Sequence, residues 1–203
     1  MLVLLLISLC TLPSCINNRK DIDFKCTGER SNISEIIGTD IGTINDICEG
    51  YDAKERFLYG YNLPVNGKYD ERLLQIHTIM DTVRLASVIY RYYGKNLKDG
   101  QTLRDYKPSN EKYLNIKNEV KSKKGWLKTN KDTTSDGEHE NYIIKETWRN
   151  MNNTEEESTR SNLEINISKR IRYTREFIPE KDNYRIEKYW VSVSFEVQDS
   201  VMY

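Results

Sequence analysis

Two histidines are all the imidazole this chain of 203 residues has. His77 stands four residues before Asp81 and seven before Arg84. On a helix the three would share one strip, and a carboxylate that orients a histidine is how a general base is built. No serine or cysteine nucleophile is placed by sequence to complete the set, and polar pairs at this spacing are ordinary on helix surfaces. A hydrolase using His77 and Asp81 is therefore the minor reading. His139 lies in Gly137-Glu138-His139-Glu140 without a second histidine four residues on, which a zinc-protease helix needs. Asp21 with Asp23, and Glu138 with Glu140, are paired carboxylates in segments that would not hold glycosidase geometry. Nucleophile-elbow, phosphate-loop, C-x-x-C and EF-hand spacings do not occur. The sequence thus reads as a non-enzyme, with no cofactor and no metal.

The four cysteines carry more information. Leu2 to Leu12 is an apolar run of secretory-signal length, too short for the roughly 20 residues of a spanning helix. It ends in Leu12-Pro13-Ser14-Cys15, which resembles the lipobox of bacterial lipoproteins. That resemblance covers only these fifteen or so residues, and it implies lipidation of Cys15 as the new N-terminus. Plain signal-peptidase cleavage near Ser14 is the alternative. Ile16-Asn17 lacks the acidic residue that, in the enterobacterial pattern, retains lipoproteins at the inner membrane, so the outer membrane or periplasm is implied. Cys10 would leave with the signal, and Cys26 and Cys48 would remain as a pair. In an oxidising compartment such a pair reads as a disulfide, contributing about 3 kcal/mol in the chain-entropy model.

Composition fits a folded body behind a tether. Lys plus Arg equals Asp plus Glu at 31 each, so no global field favours nucleic acid. Fourteen Tyr and three Trp are too many for disorder. Sequons at Asn32, Asn152 or Asn166 would matter only in a eukaryotic or viral source.

The elements that must position these residues follow from periodicity. Asp70 to Tyr93 carries Leu73, Ile76, Ile79, Met80, Val83, Ala86 and Tyr90 on one face at about 100° per residue. This predicts one long helix, capped by Asp70 and stopped by Gly94. Phe24-Lys25-Cys26 and Arg56 to Leu63 read as strands, and Thr43 to Cys48 as a short strand or helix. Lys95 to Lys131 reads as a basic connection, partly neutralised by the acidic stretch 132–140 or touching lipid headgroups. Period two takes over from Tyr142 to Trp148 and from Leu163 to Phe177, where Lys169 and Arg175 interrupt the apolar parity as if at an edge. Tyr184 and Ile186 stand in the opposite parity to Tyr189, Val191, Val193 and Phe195, which predicts a bulge near Glu187-Lys188.

The expected organisation is a signal peptide over 1–14, a lipid-anchored tether over 15–22, and one α+β domain over 23–203. In it one long helix packs on a curved antiparallel sheet. A strand, a helix and then a meander resembles the cystatin-like arrangement, a likeness that carries no function. The leading functional expectation is an exported, lipid-anchored binding protein, in its most concrete form an immunity-type protein that caps a toxin. The alternative is a structural envelope lipoprotein. Trp126, Trp148, Trp190, Tyr173 and Arg172 are the candidate partner-binding residues, since interfaces favour these side-chain types.

Overall fold

The computed structural model describes residues 24–26, 30–48, 51–55, 57–93, 102–134, 142–150, 163–178 and 183–199. The segments expected as signal and tether, with Cys15, and also Gly94, His139 and residues 151–158, lie outside them.

Asp70 to Tyr93 is not a helix but a β-hairpin: β3 spans Glu71–Ile79 and β4 spans Thr82–Tyr92. The reversal falls at Met80 and Asp81, both at positive φ (49° and 60°), as a two-residue hairpin turn of the primed type requires. Neither residue is the Gly or Asn that usually announces such a turn, so the strands ran together in the sequence. Even-numbered Leu74, Ile76, Ala86, Val88 and Tyr90 are all buried, the alternation of two strands with one face inward. Asp70 closes the open end of the hairpin: its Oδ2 accepts from the Tyr93 amide at 2.7 Å.

Before the hairpin come a 3-10 helix at Arg30–Ile36, helix α1 at Ile41–Ile47, and strands β1 (Tyr51–Glu55) and β2 (Leu58–Asn62). Phe24 to Cys26 forms no strand. Cys26 is disulfide-bonded to Cys48, Cα to Cα 5.2 Å, which ties the start of the domain to the end of α1.

The fold's main helix, α2, lies where the sequence suggested a connection, at Lys107–Ser122. Pro108 sits in its first turn, where a missing N–H costs nothing. Only Tyr113, Ile116 and Val120, with Ser109, are buried, a narrow stripe in a lysine-rich segment. Gly125, at φ 85°, turns the chain into β5 (Trp126–Thr134). Strands β6 (Ile143–Asn150), β7 (Leu163–Ile178) and β8 (Asn183–Asp199) complete the sheet.

All eight strands form one antiparallel sheet in the order β1-β2-β3-β4-β8-β7-β6-β5, open at β1 and β5. The fold is α+β, a single 16-residue helix on an antiparallel sheet. The helix follows four strands rather than one, so the cystatin-like order is not the order of this chain. Along the β7–β8 ladder Thr174 pairs with Lys188 and Arg175 with Ile186, leaving Glu187 as the extra, bulged residue.

One face of the sheet carries α2 and the 3-10 helix, over Ile167, Val193, Phe195 and Val197. Lys169 belongs to this face and stands in its middle, not at an edge: it is 1% exposed and donates to the Arg104 carbonyl and Asn110 Oδ1. Burial is the main reason that its pKa falls to about 8. Glu146, equally buried, accepts from Lys117 of α2 at 2.9 Å. Two charged contacts thus fix the helix on the sheet.

Candidate functional site

The other face of the sheet carries none of the described helices, and its composition is different. The alternate residues of β6, β7 and β8 that point there are polar. Register places Thr147, Asn166 and Glu196 in one row, and Glu164 beside Gln198 in the next. Asn166 accepts from Thr147 Oγ1 at 2.9 Å and donates to Glu196 at 3.1 Å. Glu164 accepts from Gln198 at 2.7 Å and from Arg149 at 3.0 Å. Alternation with the apolar parity predicts these positions to be wet. Instead Asn166 is 2% exposed and Glu164 7%, because the polar side chains satisfy one another. A sequon at Asn166 is therefore closed to modification as the chain stands folded.

Towards the other end of the same face the charges become one-sided. Arg91 of β4 pairs across with Ser192 of β8, which pairs with Arg170 of β7. One row further on, Trp190 pairs with Arg172. The Arg91 guanidinium lies 5.6 Å from the centroid of the Trp190 ring, and Tyr93 meets that ring edge-on at 6.3 Å. Arg91 has a counter-charge, Glu71 at 2.8 Å. Arg170 and Arg172 form no ion pair among the described residues. Partial burial, then the positive charges of Arg170 and Arg91, lowers the pKa of Arg172. The Nε of Arg170 and the Nε1 of Trp190 are both buried donors without an acceptor. Like charges are thus gathered beside an aromatic ring on this face.

The sequence candidates are divided by this geometry. Arg172 and Trp190 come together as cross-strand partners. Trp148 is 5% exposed and sits in the core, away from the open face. Trp126 is half-buried where α2 hands over to β5, on the helix-covered side. Tyr173 pairs with Tyr189 in the ladder, and its side chain lies outside the described residues. Arg170 was legible as the same parity as Arg172. Arg91 and Tyr93 were hidden by the helical reading of their segment.

That reading also made the His77–Asp81–Arg84 strip, which does not exist. His77 is exposed on β3, Asp81 is in the hairpin turn, and Arg84 of β4 is bonded to Asp199 at 3.0 Å. The strand and its turn do not give His77 and Asp81 the shared strip that a helix would have given, so this dyad is withdrawn as a catalytic candidate.

Among the described residues no cluster of three or more His, Cys, Asp or Glu is placed to hold a metal ion. No described helix is long and apolar enough to cross a membrane. Comparison with protein-family models, with curated proteins and with solved structures finds no match.

Proposed function

We propose that this chain is an exported, non-enzymatic binding protein of a bacterial envelope, anchored by lipid at Cys15. It docks an acidic protein surface on the open sheet face, around Arg172 and Trp190. An immunity-type protein that caps a toxin is the concrete form of this reading. The observation that carries it is the cluster of Arg91, Arg170 and Arg172 on neighbouring strands, with Arg91 over the Trp190 ring and with Arg170 and Arg172 lacking ion-pair partners among the described residues. Arg and Trp are the side chains that concentrate binding energy at interfaces, and a cationic patch selects an anionic partner and speeds its approach. The disulfide between Cys26 and Cys48 supports an oxidising compartment. The lipobox-like Leu12-Pro13-Ser14-Cys15 supports the anchor.

The experiment is affinity recovery from the host envelope with the wild-type chain and with the Arg170→Glu, Arg172→Glu double variant. One acidic protein should be recovered by the wild type and lost with the variant. Equal recovery by both, or none by either, leaves a structural envelope lipoprotein as the better description.

A further inference from the structure

On the helix-covered face, away from Arg172, a cleft of about 920 Å³ opens between α2 and the residues around the β3–β4 hairpin's open end. Four cations line it: Arg30 from the 3-10 helix, Lys68 from the β2–β3 loop, Arg72 from β3 and Lys112 from α2. Three of them meet at one ring. Lys112 Nζ lies 3.9 Å from the Tyr90 ring centroid, the Arg72 guanidinium 5.5 Å from it, and Arg30 Nη1 donates to the Tyr90 hydroxyl at 3.1 Å. Tyr90 itself is 1% exposed, so this gathering is rooted in the core.

Against the four cations the cleft walls carry two carboxylates, Glu111 and Glu119. Glu119 is engaged by Arg30, whose Nε lies 3.2 Å from it. Glu111 lies on the same wall, 3.7 Å from Lys107. Lys68 and Lys112 form no ion pair among the described residues. Holding cations from separate elements around one ring costs Coulomb energy, and an anion with several oxygens is the group that would offset it. A carboxylate offers two oxygens to one side. A phosphate offers three, spread around a tetrahedron, which suits ammonium groups arriving from a loop, at Lys68, and from a helix, at Lys112, at once. Tyr69 and Tyr106 add ring faces, and Asn66 and Asn115 add amides, to the same walls. Rings and amides suit the sugar or polyol that carries such a phosphate.

We infer that this cleft binds a phosphate monoester borne on a small polyol or sugar, free in solution or as the headgroup of a lipid. The electrostatic state of Lys112 agrees with that. Its pKa is lowered to about 8, first by burial and then by Arg30 and Arg72, with Lys68 adding to them and Glu119 opposing. A bound dianion would favour the protonated amine. Affinity should therefore fall as pH rises through about 8, because binding prefers the form that is being lost.

The test is calorimetric titration of the full chain in detergent with glycerol 3-phosphate and with dihexanoyl phosphatidic acid below its micelle concentration. Acetate and glycerol serve as controls. Binding of either phosphate, absent for both controls, is expected, and the tighter of the two identifies the source. Lys112→Met should weaken it by about 10-fold or more and flatten its pH profile between 7 and 9. Lys68→Ala changes only an exposed loop side chain and should weaken it by about 3-fold, so the result does not hang on the folding of the helix variant. Absence of phosphate binding, acetate binding of equal strength, or unchanged affinity in both variants overturns the inference.

Discussion

Arg172 and Trp190 are direct partners across β7 and β8, and a second arginine, Arg91, lies 5.6 Å from the same indole. No carboxylate among the described residues pairs with Arg172. Its positive neighbours Arg170 and Arg91 oppose its charge, so under the proposed docking role its side chain adds little to the stability of the chain. Arg172→Ala should leave the urea midpoint unchanged or raise it, within about 0.5 kcal/mol. A loss of more than about 1 kcal/mol would show that Arg172 is a structural contact, and the docking surface would lose its central residue.

Lys169 offers a pH-dependent prediction with a fixed sign. Its folded pKa of about 8 lies below the ordinary value of 10.5. Between those two values the unfolded chain binds more protons than the folded one, so stability gains from rising pH there. Lys169→Met should cost about 1–3 kcal/mol at pH 7, because the Arg104 carbonyl and Asn110 Oδ1 lose their donor. The gap between wild type and variant should widen from pH 7 to pH 10. Urea unfolding of both proteins across that range reads it directly, and a gap that stays constant would place the proton elsewhere.

The β3–β4 turn can be improved. Met80 is 91% exposed and, like Asp81, holds a positive φ that ordinary side chains disfavour. Replacing the pair by Met80→Asn with Asp81→Gly should stabilise the fold by about 1 kcal/mol, seen as a higher urea midpoint. Since Ile41 bonds to the Asp81 carbonyl through backbone alone, that contact survives the change. A lower midpoint would mean that the Met80 or Asp81 side chain contributes contacts that outweigh the strain.

The same turn explains what the sequence concealed. Leu73, Ile76, Val83 and Tyr90 satisfy a 3.6-residue period, but Leu74, Ile76, Val88 and Tyr90 satisfy a period of two equally well. With Met80-Asp81 in place of a recognisable turn, nothing marked the break. The run of Ile76, Thr78, Ile79, Thr82, Val83, Val88 and Ile89 was the better guide, because β-branched side chains favour strands. Helix α2 was concealed by the opposite effect. Its buried stripe is only Tyr113, Ile116 and Val120, and lysines around it made the segment look like a connection. Pro108 followed by that spacing was the available signal. By contrast, β7 and β8 were legible down to the bulge at Glu187, since long strands with one apolar parity leave register little freedom. The candidate site followed the same division. Arg172 and Trp190 were visible as types and Arg170 as parity, whereas Arg91 required the hairpin to be seen first.

The central claim is that the face bearing Trp190 is a protein-docking surface. The most direct measurement is photo-cross-linking in the native host, with a benzophenone amino acid at position 190 and, as control, at position 114. Leu114 is exposed on the outer side of α2, on the opposite side of the sheet. The account predicts a single discrete adduct from position 190, none from 114, and loss of the adduct when Arg170→Glu and Arg172→Glu are added. Equal labelling from both positions, or an adduct at 190 indifferent to the arginines, would contradict it.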